Sequence, residues 1–543
     1  MSDDEKKKLL CQSNEEGKAP LHYAFQQNNA EVVCELIQAG ADFNTLTQDE
    51  DGSNPFHVAA ESGSAESIGA AYHKKDNFLQ KDSSDNPEKQ RFVLSLNTLN
   101  KKGYTPLMLS VSKGYVNSSV AFLQAGADPN VQHPDSGDTV LHYAAEGGNA
   151  VLLKTLIAFG ANIETHNNTG KVPLDVARTS KAEGAKECVD ILEETTKAME
   201  EASFQISGKF EPISVPSNSI FLLSLDGGGS RGLLSTQTLI AIHKRMKELK
   251  PVCKPLHKYF DYIAGTSTGG LVALSMVSVG ASLEATRVSQ FKAVDELMTL
   301  PPTIPFKVIR KFFHQIIGKD IVMTDTQKPR VIVPTVQADC KPSVLHLMCN
   351  YGEARNGQKP PKEWKVWEAC VATSAAPVYF PPFEKKFIDG GLMANNPTLD
   401  AMTEIITQAE KEESDAKLAL VVSIGTGVMP HVEVEDVGIV VPNHTNAFKA
   451  IAKLPQTFSA VQNFRDLVIA QATLSDGQET ARASAWCKSL GIPYYRLSVP
   501  LSKAINLAES KMETLIDMMY QGHLYLVHNA KQVDAIARYL LSR

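Results

Sequence analysis

The chain has 543 residues, 43% of them hydrophobic, which on length suggests roughly two to four domains with ample core. A net charge of −7 and a pI near 6.1 exclude a nucleic-acid partner of the usual basic kind and leave any anionic surface to a local basic patch. The eight cysteines are dispersed without a CxxC pair, and the start Met1-Ser2-Asp3-Asp4-Glu5 has no apolar segment. That pattern predicts reduced thiols in a cytoplasmic setting and argues against metal ligation by cysteine. The longest near-apolar stretch, Tyr262 to Gly280, is rich in Gly, Ser and Thr, so no membrane span is expected.

Residues 16–192 repeat. Ala19-Pro20-Leu21-His22-Tyr23-Ala24 returns as Asn54-Pro55-Phe56-His57-Val58-Ala59, then as Thr105-Pro106-Leu107-Met108-Leu109-Ser110. Two further copies are Thr139-Val140-Leu141-His142-Tyr143-Ala144 and Val172-Pro173-Leu174-Asp175-Val176-Ala177. Their second positions are 35, 51, 34 and 33 residues apart, and the pattern resembles the ankyrin repeat, with its period near 33 and its T-P-L-H-x-A signature. Pro starts the first helix of each pair, and Gly40, Gly126 and Gly160 stand where the second helix must end. The long gap predicts an insertion near 74–90. His22, His57 and His142 recur at the repeat period, so they are expected to hydrogen-bond a neighbouring turn and not to ligate or catalyse. About five repeats make a stacked α-helical scaffold, with a surface for protein partners.

Residues 193–218 read as a short charged helical extension followed by a Pro- and Ser-rich linker. An apolar strand, Ile220 to Leu225, then runs into Asp226-Gly227-Gly228-Gly229-Ser230-Arg231-Gly232, and a helix from Leu233 to Lys247 follows. The glycines satisfy G-x-G-x-x-G, but the region where a ribose-binding acid should end a second strand is instead a basic helix with Lys244, Arg245 and Lys247. The loop fits better as a cradle of bare N–H groups for an oxyanion at a helix N-terminus, with Gly228 and Gly229 as donors and Arg231 shaping the loop.

Tyr259 to Ala264 reads as a strand and Leu271 to Val279 as a helix, with Gly265-Thr266-Ser267-Thr268-Gly269 between them. Small residues two places either side of a serine let strand and helix pass close to a strained turn, which makes Ser267 the candidate nucleophile. Farther on, Phe387-Ile388-Asp389-Gly390-Gly391 offers a carboxylate at the end of a short apolar strand. An ordinary Asp, with a pKa of about 4, is a poor base for a hydroxyl, so Asp389 needs desolvation or strict positioning. His431, His444, His523 and His528 follow Asp389 in Ser…Asp…His order, and the residues alone leave a triad open beside the Ser-Asp dyad.

The three motifs in this order resemble the patatin-like phospholipases. Ala375-Ala376-Pro377-Val378-Tyr379-Phe380, Ala394-Asn395-Asn396-Pro397, Ser423-Ile424-Gly425-Thr426-Gly427 and Tyr495-Arg496-Leu497 extend the likeness. With repeats in front, the chain is similar to the group VI calcium-independent phospholipases A2 of the beta type. The resemblance implies a three-layer α/β/α catalytic domain, with a core at 219–410 and a continuation at 411–543. It implies hydrolysis of a glycerophospholipid acyl ester without calcium, metal or other cofactor, at a membrane surface that a cytoplasmic protein binds peripherally. Ser267 is then the nucleophile, Asp389 the base, Gly227 to Gly232 the oxyanion loop, Gly265 and Gly269 the elbow, and Gly390 and Gly391 the support of the base. That family's glycine loop has also been read as a nucleotide site and its C-terminal part as a calmodulin target. Here the nearest calmodulin candidate, Asn446 to Leu454, is short, modestly basic and stopped by Pro455, which argues against that partner. Self-association stays open. Between Pro305 and Gly318, Phe306, Ile309, Phe312, Phe313 and Ile316 form an apolar stripe among Lys307, Arg310 and Lys311. Such a helix either packs as a lid on the catalytic domain or sinks Phe312 and Phe313 into lipid.

Overall fold

The computed structural model describes residues 8–74, 87–203, 210–300, 304–353, 359–430 and 473–543. The chain divides into two units, each drawing on more than one stretch of sequence. One comprises Met1–Phe210, Gly280–Phe291 and Ser510–Ala535; the other comprises Glu211–Val279, Lys292–Glu509 and Ile536–Arg543.

The first unit is helical. Its pairs are Pro20–Gln26 with Ala30–Gln38, Pro55–Ser62 with Ala65–Lys74, Pro106–Ser112 with Val116–Ala125, Val140–Glu146 with Ala150–Ala158, and Pro173–Thr179 with Ala185–Ser203. First helices stack on first helices and second on second. The local causes are those of the sequence pattern: Asn54 and Thr105 cap their helices through the N–H groups of His57 and Met108, and the left-handed Gly63 and Gly126 end theirs. Between repeats the core is aromatic, with Phe56 5.3 Å from Phe25 and 5.1 Å from Phe43. Of the expected insertion, 75–86 lies outside the described residues, and the additional helix Pro87–Asn97 follows. Helix Ala185–Ser203 carries the charged run of the expected linker, so the helical extension reaches 203.

The range 411–543, expected as one continuation of the catalytic domain, is split. Helix Met512–His528 packs on Ala150–Ala158 and Ala185–Ser203, where Tyr520 and Leu524 join the core of the repeats. The Tyr520 hydroxyl meets Thr195 Oγ1 at 3.0 Å, and Lys154 Nζ reaches Asp517 at 3.0 Å.

The second unit is α/β. Its strands are β1 (Ser219–Leu225), β2 (Tyr262–Gly265), β3 (Arg330–Gln337), β4 (Val344–Cys349), β5 (Phe387–Asp389), β6 (Lys417–Ile424) and β7 (Tyr494–Leu497). They form a mixed sheet in the order β4-β3-β2-β1-β6-β7, with β3, β2, β1, β6 and β7 parallel and β4 and β5 antiparallel to β3. Every residue of β1 is buried, Ser219 and Ser224 included, as in a strand covered on both faces. One face, with Leu222, Ala264 and Val421, packs under Ala401, Met402 and Ile405 of helix Thr398–Lys411.

The register of β3 sets up the site. Its residues 330–332 pair with β2, while Thr335, Val336 and Gln337 pair with Asp389, Ile388 and Phe387 of β5. β4 pairs with β3 from Ile332 to Gln337, so β5 takes the edge of β3 that the short β2 leaves free. The chain leaving β2 at Gly265 therefore arrives beside the end of β5.

Helix Phe306–Ile316 packs against helix Val366–Thr373, with Phe312 and Phe313 only 3% and 4% exposed. Of the two alternatives the sequence left open, this burial matches packing as a lid, and the exposed residues of the helix include the cations Lys307, Arg310 and Lys311. Among the described residues no helix is long and apolar enough to cross a membrane.

Candidate active site

Ser267 stands between β2 and helix Thr268–Leu274 with φ +51° and ψ −122°, a backbone that a non-glycine residue rarely adopts. Two hydroxyls hold this turn. The Ser267 N–H donates to Thr373 Oγ1 at 2.9 Å, and Thr373 in turn donates to the Pro334 carbonyl at 2.7 Å. Thr266 Oγ1 donates to the carbonyl of Ala394 at 2.6 Å. Strand and helix pass so close that a Cβ on Gly265 would lie 2.3 Å from the carbonyl oxygen of Gly269, and one on Gly269 2.4 Å from that of Leu225. Both elbow glycines are thus required by contact.

Ser267 Oγ donates directly to Asp389 Oδ2 at 2.7 Å. The other carboxylate oxygen accepts the N–H of Gly391 at 2.7 Å, which fixes the plane of the group. Gly390 is seated against Pro334, whose carbonyl oxygen would be 2.3 Å from a Cβ there. Asp389 is 6% exposed, and burial pushes its carboxyl up to about 6, against the smaller opposing pulls of Gly391 and Ser267. Such burial is the desolvation that a carboxylate would need to act as a base. Among the described residues no imidazole stands between Ser267 and Asp389. His523 and His528 lie in helix Met512–His528 of the first unit, and His431 and His444 lie outside the described residues, as does the segment Asn446 to Leu454.

The glycine loop lines the other side of Ser267: a Cβ on Gly227 would lie 3.2 Å from Ser267 Cβ. Of the loop N–H groups, Gly227 donates to Asn395 O, Ser230 to Leu507 O and Arg231 to Gly228 O. The Gly232 N–H closes the short helix Gly229–Arg231, and Gly232 itself abuts Thr268. Among the described residues the N–H groups of Gly228 and Gly229 have no acceptor. Arg231 is 1% exposed, its Nε directed at Gly228 O (3.4 Å) and its Nη2 at Thr473 O (3.2 Å), so its side chain serves the loop from behind. The dinucleotide reading, which the sequence disfavoured, finds no support at β2, which ends at Gly265 and is followed by Thr266 and Ser267 in place of a ribose-binding acid.

Beneath the loop lies a buried polar network that the sequence did not reveal. Asp226 is 0% exposed, accepting from Asn396 Nδ2 (2.7 Å), Ser475 Oγ (2.8 Å), and Arg496 Nη1 (3.1 Å) and Nη2 (2.6 Å). Burial pushes its carboxyl up, while Arg496 first, and then the hydroxyl and amide donors, pull it back. Asn396 and Arg496 stood among the residues of the family likeness, but nothing local assigned them a role, because they lie 170 and 270 positions from Asp226.

An α/β domain with a serine on a strained strand–helix turn and a glycine loop beside it defines the class. Residues 223–402 match the family of patatin-like phospholipases, and residues 4–82 and 107–199 match ankyrin repeats. The chain thus carries a domain of the patatin-like phospholipase family, with ankyrin repeats before it. It is similar to the intracellular phospholipase A2 of Caenorhabditis elegans, 29% identical over 96% of this chain and 51% of the worm protein. It is also similar to the 85/88 kDa calcium-independent phospholipase A2 of Rattus norvegicus, 34% identical over 59% of this chain and 40% of the rat protein. Patatin-like protein 1 of Oryza sativa subsp. indica is 31% identical over 40% of this chain and 61% of its own length. The chain therefore spans about half the length, or less, of the two animal relatives.

Proposed function

We propose that the chain is a phospholipase A2-type serine hydrolase that cleaves fatty acyl esters of glycerophospholipids through Ser267 and Asp389. The observation that carries this reading is the direct 2.7 Å bond from Ser267 Oγ to a desolvated carboxylate. Asp389 takes the Oγ proton as Oγ bonds to the ester carbonyl carbon. The carbonyl oxygen becomes an oxyanion facing the N–H groups of Gly228 and Gly229. Collapse breaks the bond to the glycerol oxygen, which receives the proton from Asp389 and leaves as lysophospholipid. Water then gives Asp389 a proton as it attacks the acyl-serine, and the fatty acid departs with Ser267 Oγ reprotonated.

No step of this scheme needs a Lewis acid, and we extend to this chain the calcium independence printed in the name of the rat relative. Substrate is met at a phospholipid surface, and the repeats bind protein partners. The test is labelling and turnover together. A fluorophosphonate should label Ser267 and should not label Ser267→Ala, and the Ser267→Ala and Asp389→Asn proteins should release no fatty acid from phosphatidylcholine vesicles. Wild-type turnover by Ser267→Ala would end this reading.

A further inference from the structure

The two open N–H groups of the glycine loop owe their direction to neighbours that never face the substrate. A trans peptide is planar, so its N–H points opposite to its C=O, and whatever holds the carbonyl aims the N–H. The Gly228 N–H belongs to the Gly227–Gly228 peptide, whose carbonyl accepts Thr426 Oγ1 at 2.7 Å and, at 3.4 Å, Asn395 Nδ2. The Gly229 N–H belongs to the next peptide, whose carbonyl accepts both the backbone N–H (3.1 Å) and Nε (3.4 Å) of Arg231. Thr426 is 0% exposed and presses on the loop: a Cβ on Gly228 would come 2.3 Å from its Oγ1. It is itself held, since its N–H donates to Ser475 Oγ (2.8 Å), and Ser475 is anchored on Asp226.

We infer that Thr426 and Arg231 are positioning residues for the oxyanion, each clamping the carbonyl of one loop peptide so that the N–H of Gly228 or Gly229 meets the developing charge. This rests on the serine-hydrolase reading and goes beyond it. A network running from Arg496 through Asp226 and Ser475 to Thr426 transmits the rigidity of the sheet to the Gly228 N–H. Freed of Thr426 Oγ1, the Gly227–Gly228 peptide can rotate about its flanking glycine bonds, and the donor drifts.

The test uses the full chain and a soluble short-chain ester. Thr426→Val keeps shape and removes only the hydroxyl; a donor displaced by about 1 Å should lower kcat by about 100-fold while KM stays near wild type. Affinity for a trifluoromethyl ketone, which forms a tetrahedral adduct bearing an oxyanion, should fall by the same factor as kcat/KM. Thr426→Ser should restore most of both. Arg231→Met should show the same split between kcat and KM at an unchanged melting temperature. A raised KM with kcat intact, unaltered ketone affinity, or a serine variant as poor as the valine variant would overturn the inference. Ser267→Ala separates the two levels. If it keeps activity, the hydrolase reading fails; if it is dead while Thr426→Val turns over normally, only the positioning role fails.

Discussion

The repeats and the catalytic sheet treat their buried polar groups in opposite ways. In the repeats, His22, His57 and His142 each accept a backbone N–H at Nδ1 and bring Nε2 to a carbonyl of the next repeat, at 3.2, 3.0 and 3.1 Å. Both ring nitrogens are satisfied, and the left-handed turns fall on glycines such as Gly63 and Gly126. In the sheet, Ser267 takes a left-handed φ without being glycine, and among the described residues the buried Asp389 has no cation bonded to it and two loop N–H groups stay open. The difference teaches where to look for chemistry. Elements whose local rules all agree are built for stability, and the site is where several rules are broken within a few residues.

The largest effect expected of breaking that site is on rate. Ser267→Ala should lower kcat by about a millionfold, and Asp389→Asn by at least about a thousandfold, since the two act as one unit. Steady-state hydrolysis of a soluble ester, with folding checked by circular dichroism, measures both. A thousandfold loss from His431→Ala or His444→Ala in a folded protein would replace the dyad with a triad. Excess chelator should leave wild-type activity in place, and a strict need for added calcium would contradict the mechanism.

A second group of changes separates support from chemistry by stability. Arg496→Met strips Asp226 of its cation and should cost about 3–5 kcal/mol in urea unfolding, because a fully buried carboxylate is left unpaired. Adding Asp226→Asn should recover most of that. Asp389→Asn should do the reverse. Its folded pKa of about 6 lies above the ordinary value of 3.8, so stability is fully present below 3.8 and is lost as pH rises through 6. Asparagine removes that cost and should be the more stable form at pH 8 by on the order of 3 kcal/mol, with the gap closing by pH 4. The same titration places the acid limb of kcat/KM near pH 6. A limb near pH 4, with no stability gain for asparagine, would mean that Asp389 is solvated.

Much of this contrast was legible in the sequence. The repeat histidines declared themselves by their period, and Ser267 and Asp389 by short motifs whose strands and turns are local. What stayed hidden was long-range. Thr373, Thr426, Ser475 and Arg496 act across 106 to 270 positions, through the pairing of β1, β6 and β7 and the packing of helix Val366–Thr373 on β3, which no local pattern encodes. Helix Phe306–Ile316 shows a different limit: an apolar stripe beside cations looks the same whether it faces protein or lipid, and only the burial of Phe312 and Phe313 decides. The division of 411–543 was equally invisible, because an amphipathic helix such as Met512–His528 does not state which core it joins.

The smallest expected effect belongs to the satisfied histidines. Burial lowers His57 from 6.5 to about 4, ahead of the opposing backbone bonds, and lowers His22 and His142 in the same direction. A buried neutral ring whose folded pKa is depressed keeps its full contribution above the unfolded pKa of 6.5. It loses stability as pH falls from there towards 4, where the unfolded chain takes up the proton and the folded ring does not. Between pH 7.5 and 5.5 His57 alone should cost the repeats roughly 1.3 kcal/mol. Amide exchange in helices Pro55–Ser62 and Pro106–Ser112, corrected for intrinsic rates, should show protection falling by that amount. Unchanged protection would mean that the ring titrates equally in both states and that burial does not hold it neutral.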